Sequence, residues 1–304
     1  MASMFTGRAR PSVKRLAPGA SPRAGWLLIT PLFAGLALFQ CYPIAVAAQQ
    51  SLQSFNPFTG VSTGYVGLGN YATLFADPQF VAALRNTALY IVLTLAVEIP
   101  LALGLAHLIN ARLPAHGLLR IMVIAGLAAS ETVAILVWNQ LYDPTHGLFN
   151  AVLRWAGLGG QPFLTSPSQA LAAIVVMSAW KNVGLSVLIF LAGLQNVPPE
   201  LDEAASLDGA GPVRRLRHIT LPLLRRYILV ALFVSTIAGT RIFAPIMLMT
   251  QGGPKDATTN LTYYAYQQAF QYSSHGVAAA STVCMLMLIG AVTLIQGVAL
   301  RERQ

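Results

Sequence analysis

Four ionisable residues stand inside long apolar runs: Glu98, Glu131, Lys181 and Arg241. Charge in hydrocarbon is costly, and such residues normally face a protein interior or a watery cavity. Two chemistries fit them. In the first, acid pairs with base, two against two, and ties helices together, as buried charges are normally paired. In the second, Lys181 or Arg241 grips an anionic head group such as a phosphate. Trp138, Trp180 and Asn182, with Asn139 and Gln140, add aromatic faces and amides suited to a hydroxylated solute. Each also has a purely structural use, Trp138 to Gln140 as an interfacial belt and Asn182 as glue between helices.

Other reactive patterns lead nowhere. GVSTG at Gly60–Gly64 has the G-x-S-x-G spacing, but a nucleophile elbow needs a strand before it and a helix after it within an α/β sheet. His107, His116, His146, His218 and His275 are scattered, with no H-E-x-x-H pair, so no metal site is expected. Cys41 and Cys284 both fall in apolar runs and suggest neither a disulfide framework nor a zinc site. There is no G-x-x-x-x-G-K-[ST] phosphate loop.

The elements that position these residues follow from composition. The 304 residues are 55% hydrophobic and only 10% charged, with a mean hydropathy of +0.61, against about 25% charged residues in soluble domains. Such a chain is an integral membrane protein. A span needs about 20 apolar residues. Six runs qualify: Trp26–Ala48, Leu84–Ile109, Leu119–Gln140, Ala170–Leu194, Tyr227–Thr250 and Val277–Leu300. Their length, without alternation of period two, means helices. The first run has AVA before Ala48, which mimics a signal-peptidase site. It exceeds the roughly 7–15 residues of a signal core, so a retained helix is expected.

The net charge of +9 does not indicate nucleic acid, because the bases alternate between the gaps. Arg8, Arg10, Lys14, Arg15 and Arg23 precede the first run. Arg112 and Arg120 flank the second gap, Arg214 to Arg226 the fourth, and Arg301 and Arg303 end the chain. The gaps at 49–83, 141–169 and 251–276 hold only Arg154 and Lys255. Basic gaps lie on the cytoplasmic side, which puts both termini inside. Residues 1–24 read as a basic cytoplasmic tail and 25–304 as one transmembrane domain.

The longest internal cytoplasmic gap contains EAASLDGAGPVRRLRHITLP, Glu203 to Pro222. Pro199 suits a helical first turn, and Glu200, Asp202 and Glu203 complement its positive end. Gly209 is expected at positive φ as a break, with Pro212 opening a second helical piece that carries the arginines. A basic amphipathic loop lying on anionic lipid would account for the arginines but not for the small face of Ala204 and Ala205.

This segment resembles the EAA loop of the membrane subunits of ATP-binding-cassette importers. Glu203, Ala204, Ala205, Asp208, Gly209, Ala210, Ile219, Leu221 and Pro222 stand at the motif's positions. It departs at Leu216, where a Phe is usual, and at Arg226, where a Pro often ends the motif. SLQSFNPF, VGLGNYATLF, LYDPTHGLFN, VPPELDEAASLDGA and TQGGPKDATTNLTYYAYQQAF are similar to the sugar and glycerol-phosphate permeases, over nearly all of residues 26–300.

That resemblance implies an all-α membrane protein of the type I importer class, with six transmembrane helices and a cytoplasmic coupling helix within 199–222. It implies a permease subunit in the bacterial inner membrane rather than an enzyme. No cofactor is expected on this chain, with ATP and Mg on two partner ATPase subunits. The other expected partners are a second homologous permease, an extracytoplasmic solute-binding protein and membrane lipid, and no nucleic acid. An ion-coupled secondary transporter using Glu98 or Glu131 is the alternative, and it leaves the loop motif unexplained.

The distribution of bases makes the orientation testable. With cysteine introduced singly, positions Ser62 and Thr258 are expected to react with an impermeant label in intact cells, and position Gly211 is not. Labelling at position 211 from outside would overturn the topology.

Overall fold

The computed structural model describes residues 22–111 and 116–301. Most of the basic tail, together with Arg112 and Arg303, lies outside the described residues. The chain falls into two units, 1–46 and 47–304. In order the helices and strands are α1 (Pro22–Leu36), α2 (Tyr42–Gln50), β1 (Gln53–Phe55), β2 (Ser62–Tyr65), α3 (Gly69–Ala76), α4 (Pro78–Asn110), α5 (His116–Ala128), α6 (Glu131–Leu141), α7 (Leu148–Trp155), α8 (Ala170–Leu194), α9 (Pro199–Leu207), α10 (Pro212–Arg215), α11 (Leu221–Leu223), α12 (Arg225–Thr240), α13 (Leu261–Tyr266) and α14 (His275–Arg301). Turns of π-helix occupy Ala37–Cys41, Leu216–Thr220, Ile246–Thr250 and Gln267–Gln271.

Among the described residues, four helices are long and apolar enough to cross a bilayer unbroken: Ile29–Gln50, Pro78–Asn110, Ala170–Leu194 and His275–Val298. Counting two bent pairs as spans raises this to six. Four of the six expected runs are therefore continuous helices. The third, read as one helix over Leu119–Gln140, breaks between α5 and α6 with a bend of 108°. Ser130 there adopts an extended conformation, so a new helix starts at Glu131. The fifth ends as an α-helix at Thr240 and resumes as the π turn at Ile246. Its approach is bent too, by 71° between Pro212–Leu223 and Arg225–Thr240.

α4 and α8 form the central pair, flanked by α5 and α12. Asp77 starts α4, accepting from the Gln79 amide at 2.8 Å through Oδ1, with Pro78 at the first helical position. Its other carboxylate oxygen accepts from Tyr264 Oη at 2.6 Å, which docks α13 beside the start of α4. Ala102 and Ala106 of α4 pack against Val183, Val187 and Phe190 of α8. Lipid is as apolar as leucine, so close backbone approach rather than hydrophobicity holds such helices together. At Gly126 of α5 a Cβ would lie 2.9 Å from the Trp180 carbonyl, and at Gly184 of α8 one would lie 2.9 Å from the Val123 carbonyl.

The segment from Gly252 to Asn260 is folded into the protein rather than held out from it. Asn86 Nδ2 donates to the carbonyls of Asp256 at 2.8 Å and Thr259 at 3.0 Å. Thr258 is 0% exposed, bonded to Thr250 Oγ1 and to the Gly253 carbonyl, each at 2.8 Å. This corrects one expectation: Thr258 is closed to a label from either side, and exposed Lys255 is the position to use in its place. Ser62 and Gly211 are exposed as that experiment needs.

The close approach of α5 to α8 has a measurable consequence. Gly126→Val and Gly184→Val are each expected to lower stability by about 1–3 kcal/mol, because the obstacle is rigid backbone. Gly104 has nothing within 4 Å of the added carbon, so Gly104→Ala is neutral or gains up to about 1 kcal/mol. Thermal unfolding in detergent reads the difference, and equal loss in all three would deny the close contact.

Candidate functional site: a polar cavity and an exposed loop

Three side chains of α4 spaced four apart, Tyr90, Thr94 and Glu98, lie on one helical face. That face lines a cavity of about 210 Å³, completed by Ser178, Lys181 and Asn182 of α8, Ser235 of α12, Glu131 at the start of α6, and Arg241. Five of the seven residues expected along a solute path therefore meet in one place. Arg241 arrives because α12 stops at Thr240, and Glu131 because α6 starts there. Both breaks put backbone irregularity beside a polar cavity, the setting in which bilayer depth tolerates it.

The four interior charges do not pair as acid with base. Among the described residues the only ion pairs within 4.0 Å are His146–Asp143 and Arg215–Asp202. Lys181 Nζ donates instead to the Leu127 carbonyl at 3.2 Å, across to α5. Glu98 is 2% exposed and its Oε1 accepts from Ser186 Oγ at 2.6 Å and Ser235 Oγ at 2.9 Å. One carboxylate thus ties α4, α8 and α12. Hydroxyl donors satisfy it where a cation was expected.

Trp138 and Trp180 go elsewhere. Their rings lie 5.6 Å apart, and Trp138 also packs on Tyr142 and Phe149 at 5.5 and 5.6 Å. Both line a second, apolar groove with Val97, Leu101 and Met122, on residues that do not line the polar cavity. Asn139 Nδ2 bonds the Leu248 carbonyl at 3.3 Å, which makes it a link between elements. Tyr90, Thr94, Ser178 and Ser235 were missed as cavity residues. The i, i+4, i+8 spacing of Tyr90, Thr94 and Glu98 was the available signal; nothing comparable marked Ser235.

The motif segment has the expected shape. α9 ends at Leu207, with Gly209 at φ +76°. The Gly209 amide donates to the Ser206 carbonyl at 3.1 Å and the Ala210 amide to the Ala205 carbonyl at 2.9 Å. This is a Schellman ending, which needs a left-handed residue where Gly209 stands. Glu203, Ala204, Asp208 and Gly209 are exposed, while Ala205 and Ala210 are half-buried. No residue of α9 is buried, and Leu207 at the tip is 90% exposed. Arg215 Nη1 donates to Asp202 Oδ2 at 2.7 Å, bracing α9 against α10. Beyond α11, buried Leu224 and half-buried Tyr227 close on Gly193, where a Cβ would lie 2.6 Å from Leu224 Cδ2. The loop is thereby seated on the end of α8.

Away from both regions, the segment after α6 is held by Asp143. Its Oδ1 accepts from the His146 amide at 2.7 Å and from Thr145 Oγ1 at 2.7 Å and the Thr145 amide at 2.9 Å. These bonds, led by the His146 amide, hold its carboxyl below the usual carboxylate range.

Comparison with known proteins agrees with this geometry. Residues 99–303 match the family described as binding-protein-dependent transport system inner membrane component. The sn-glycerol-3-phosphate transport system permease protein UgpA of Yersinia pestis is 35% identical over 272 residues, 89% of this chain and 92% of that one. The sulfoquinovosyl glycerol transport system permease protein SmoG of Agrobacterium fabrum is 35% identical over 269 residues, covering 88% and 87%. In fold, the chain is similar to a chain of a bacterial ABC transporter that imports the acidic polysaccharide alginate, with a TM-score of 0.79 at 23% identity over 93% and 97% of the two chains. None of this supports the ion-coupled alternative. The chain belongs to the binding-protein-dependent transport system inner membrane components, the permease subunits of ATP-binding-cassette importers.

Proposed function

We propose that this permease forms half of an import pathway for a carbohydrate or glycerol-phosphate-type solute, with the polar cavity on the solute's route. The observation that carries this reading is a charged cavity open at one side within membrane-spanning helices. Glu131, Asn182 and Arg241 are exposed there. Such groups do not face lipid, since each unsatisfied polar group in hydrocarbon costs several kcal/mol, on the order of the water-to-alkane transfer of an amide. A second permease of similar fold covers that side and completes the path. The names of UgpA and SmoG support the solute class.

The loop that opens on α9 is the contact with the ATPase subunits, which carry the ATP and Mg. Its small, exposed face, the acid at Glu203 and the protruding Leu207 suit insertion into a cleft on a soluble partner. Both termini and this loop lie on the cytoplasmic side by the distribution of bases. An extracytoplasmic binding protein then delivers solute on the opposite side. A periplasmic protein is seen with the alginate transporter, which offers a precedent.

The loop assignment yields a paired measurement. Gly209→Val places a branched residue at φ +76°, at a strain cost of roughly 1–2 kcal/mol, while meeting nothing within 4 Å. Glu203→Ala removes one member of a charged contact, which often costs about 2–5 kcal/mol at an interface. Each is expected to weaken retention of the ATPase subunits and to lower solute moved per ATP hydrolysed. Handover from the binding protein is expected to change far less. Wild-type retention and coupling in both variants would remove the loop from the motor contact and favour a lipid-surface role.

A further inference from the structure

We propose that an apolar track along α8, apart from the solute path, holds one acyl chain of a phospholipid. The lipid belongs to the leaflet that meets the 141–169 segment, the extracytoplasmic one by the distribution of bases.

α8 has two chemically opposite faces. Ser178, Lys181 and Asn182 line the polar cavity. Ala172, Val176, Ala179 and Val183, spaced four, three and four apart, form an apolar stripe on the other side of the helix. One end of the stripe lines a groove whose far wall is α7, through Leu148, Phe149, Val152 and Leu153. The other end lines the groove of Trp138 and Trp180, with Val97, Leu101 and Met122. Val176 borders both grooves, so they meet there. At roughly 1.5 Å per residue, Ala172 to Val183 covers about 16 Å of helix. That is close to half of the roughly 30 Å hydrocarbon core. α8 runs from Ala170 to Leu194, so the track starts at one end of the span and stops near its middle. Its depth is that of one leaflet.

The lining selects hydrocarbon. The polar residues around the α7 groove are committed to one another or to backbone. Tyr142 Oη donates to the Ala173 carbonyl at 2.9 Å, and Gln169 Nε2 donates to Gln161 Oε1 at 2.7 Å. Gln169 Oε1 accepts from the Phe163 amide at 3.0 Å, and Ser168 Oγ shares a hydrogen bond with Ser166 Oγ at 3.0 Å. What remains for an occupant is aliphatic and aromatic carbon. An extended peptide laid there would strand its amides and carbonyls, whereas an acyl chain has none to satisfy. The second permease, placed on the open side of the polar cavity, meets the opposite side of α8.

α7 marks the level of the head group. Leu148 and Val152 lie on one face of it with Trp155 beside them, all exposed, and Asn150 and Arg154 lie on the other. Buried Asn150 fastens the helix, with Nδ2 donating to the Gln161 carbonyl at 2.9 Å and Oδ1 accepting from the Gln161 amide at 2.7 Å. A helix divided in this way lies in the membrane interface with its apolar face toward the acyl chains, where tryptophan is enriched. Exposed Arg154 spends one bond on the Thr145 carbonyl, at 3.2 Å, and has no described acid within 4.0 Å. Its remaining donors suit a lipid phosphate.

The test is photocrosslinking of the complete transporter in phosphatidylethanolamine and phosphatidylglycerol nanodiscs. The probe is phosphatidylcholine carrying a diazirine midway along one acyl chain. Irradiation follows a detergent wash that strips loosely held lipid, and mass spectrometry maps the label. Label is expected on α7 and on α8 from Ala172 to Val183, and not on Leu294 and Ile295, which are exposed on α14. Ala172→Trp, which fills the groove from an exposed position, is expected to lower the label about tenfold, as losing burial of roughly two methylenes would. Val152→Gln, exposed on α7, is expected to lower it as well and decides the matter if the tryptophan prevents assembly. Both are read in transporter that keeps its ATPase subunits. No label after the wash, equal label on α14, or unchanged label in the assembled variants would overturn the inference. So would a benzophenone amino acid at position 172 that joins the chain to another subunit instead of gaining a lipid's mass, since a protein helix would then fill the track.

Discussion

The absence of water in the bilayer core is the constraint on which the rest of this protein depends. A polar group there is satisfied within the protein, lines a cavity, or costs several kcal/mol, as in transfer to alkane. Glu98 follows the first course through two serine hydroxyls from two other helices. That arrangement makes a buried acid a cross-brace for α4, α8 and α12. It also avoids the desolvation of a second charge that an ion pair would demand. Glu131, Lys181 and Arg241 follow the second course and line the cavity.

The same constraint explains where the helices break. Interruption of a spanning helix frees amides and carbonyls that lipid cannot satisfy. Two of the interruptions among the described residues, at Ala129–Ser130 and after Thr240, lie beside the polar cavity, which Glu131 and Arg241 line. Away from these breaks and from the bend between Leu223 and Arg225, contact between the described helices relies on small residues. Gly126 and Gly184 bring α5 against α8 until carbonyls lie within about 3 Å of any added carbon. Lys181 then bridges the same two helices through the Leu127 carbonyl. Packing and the position of the cavity are thus set by one contact.

On the loop, the constraint relaxes and a different economy applies. α9 is short and has no buried residue, with its end held by backbone bonds and by the left-handed Gly209. The Arg215–Asp202 pair braces it against the next helix. Tyr227 and Leu224 closing on Gly193 tie the following segment to α8, one of the cavity's walls. The segment after α9 is thus packed through side chains against a helix that also lines the cavity.

Much of this was legible in the residues alone. The apolar runs at 84–109, 170–194 and 277–300 are helices because run length and composition act locally, and a lone helix satisfies its own backbone. The turn at Gly209 was readable for the same reason, since acids, alanines, glycine and proline determine a helix end within a few residues. Tertiary structure decided the rest. Nothing local distinguishes the run at 119–140, which bends by 108°, from an unbroken span. Nor does spacing along the chain say that Thr94, Glu131, Lys181, Ser235 and Arg241 share a cavity while Trp138 and Trp180 share a groove. Which face of each helix meets which depends on close approach at glycines and on hydroxyls that reach across helices. Those are contacts between residues roughly 50 to 140 positions apart, and only the packed bundle brings them together.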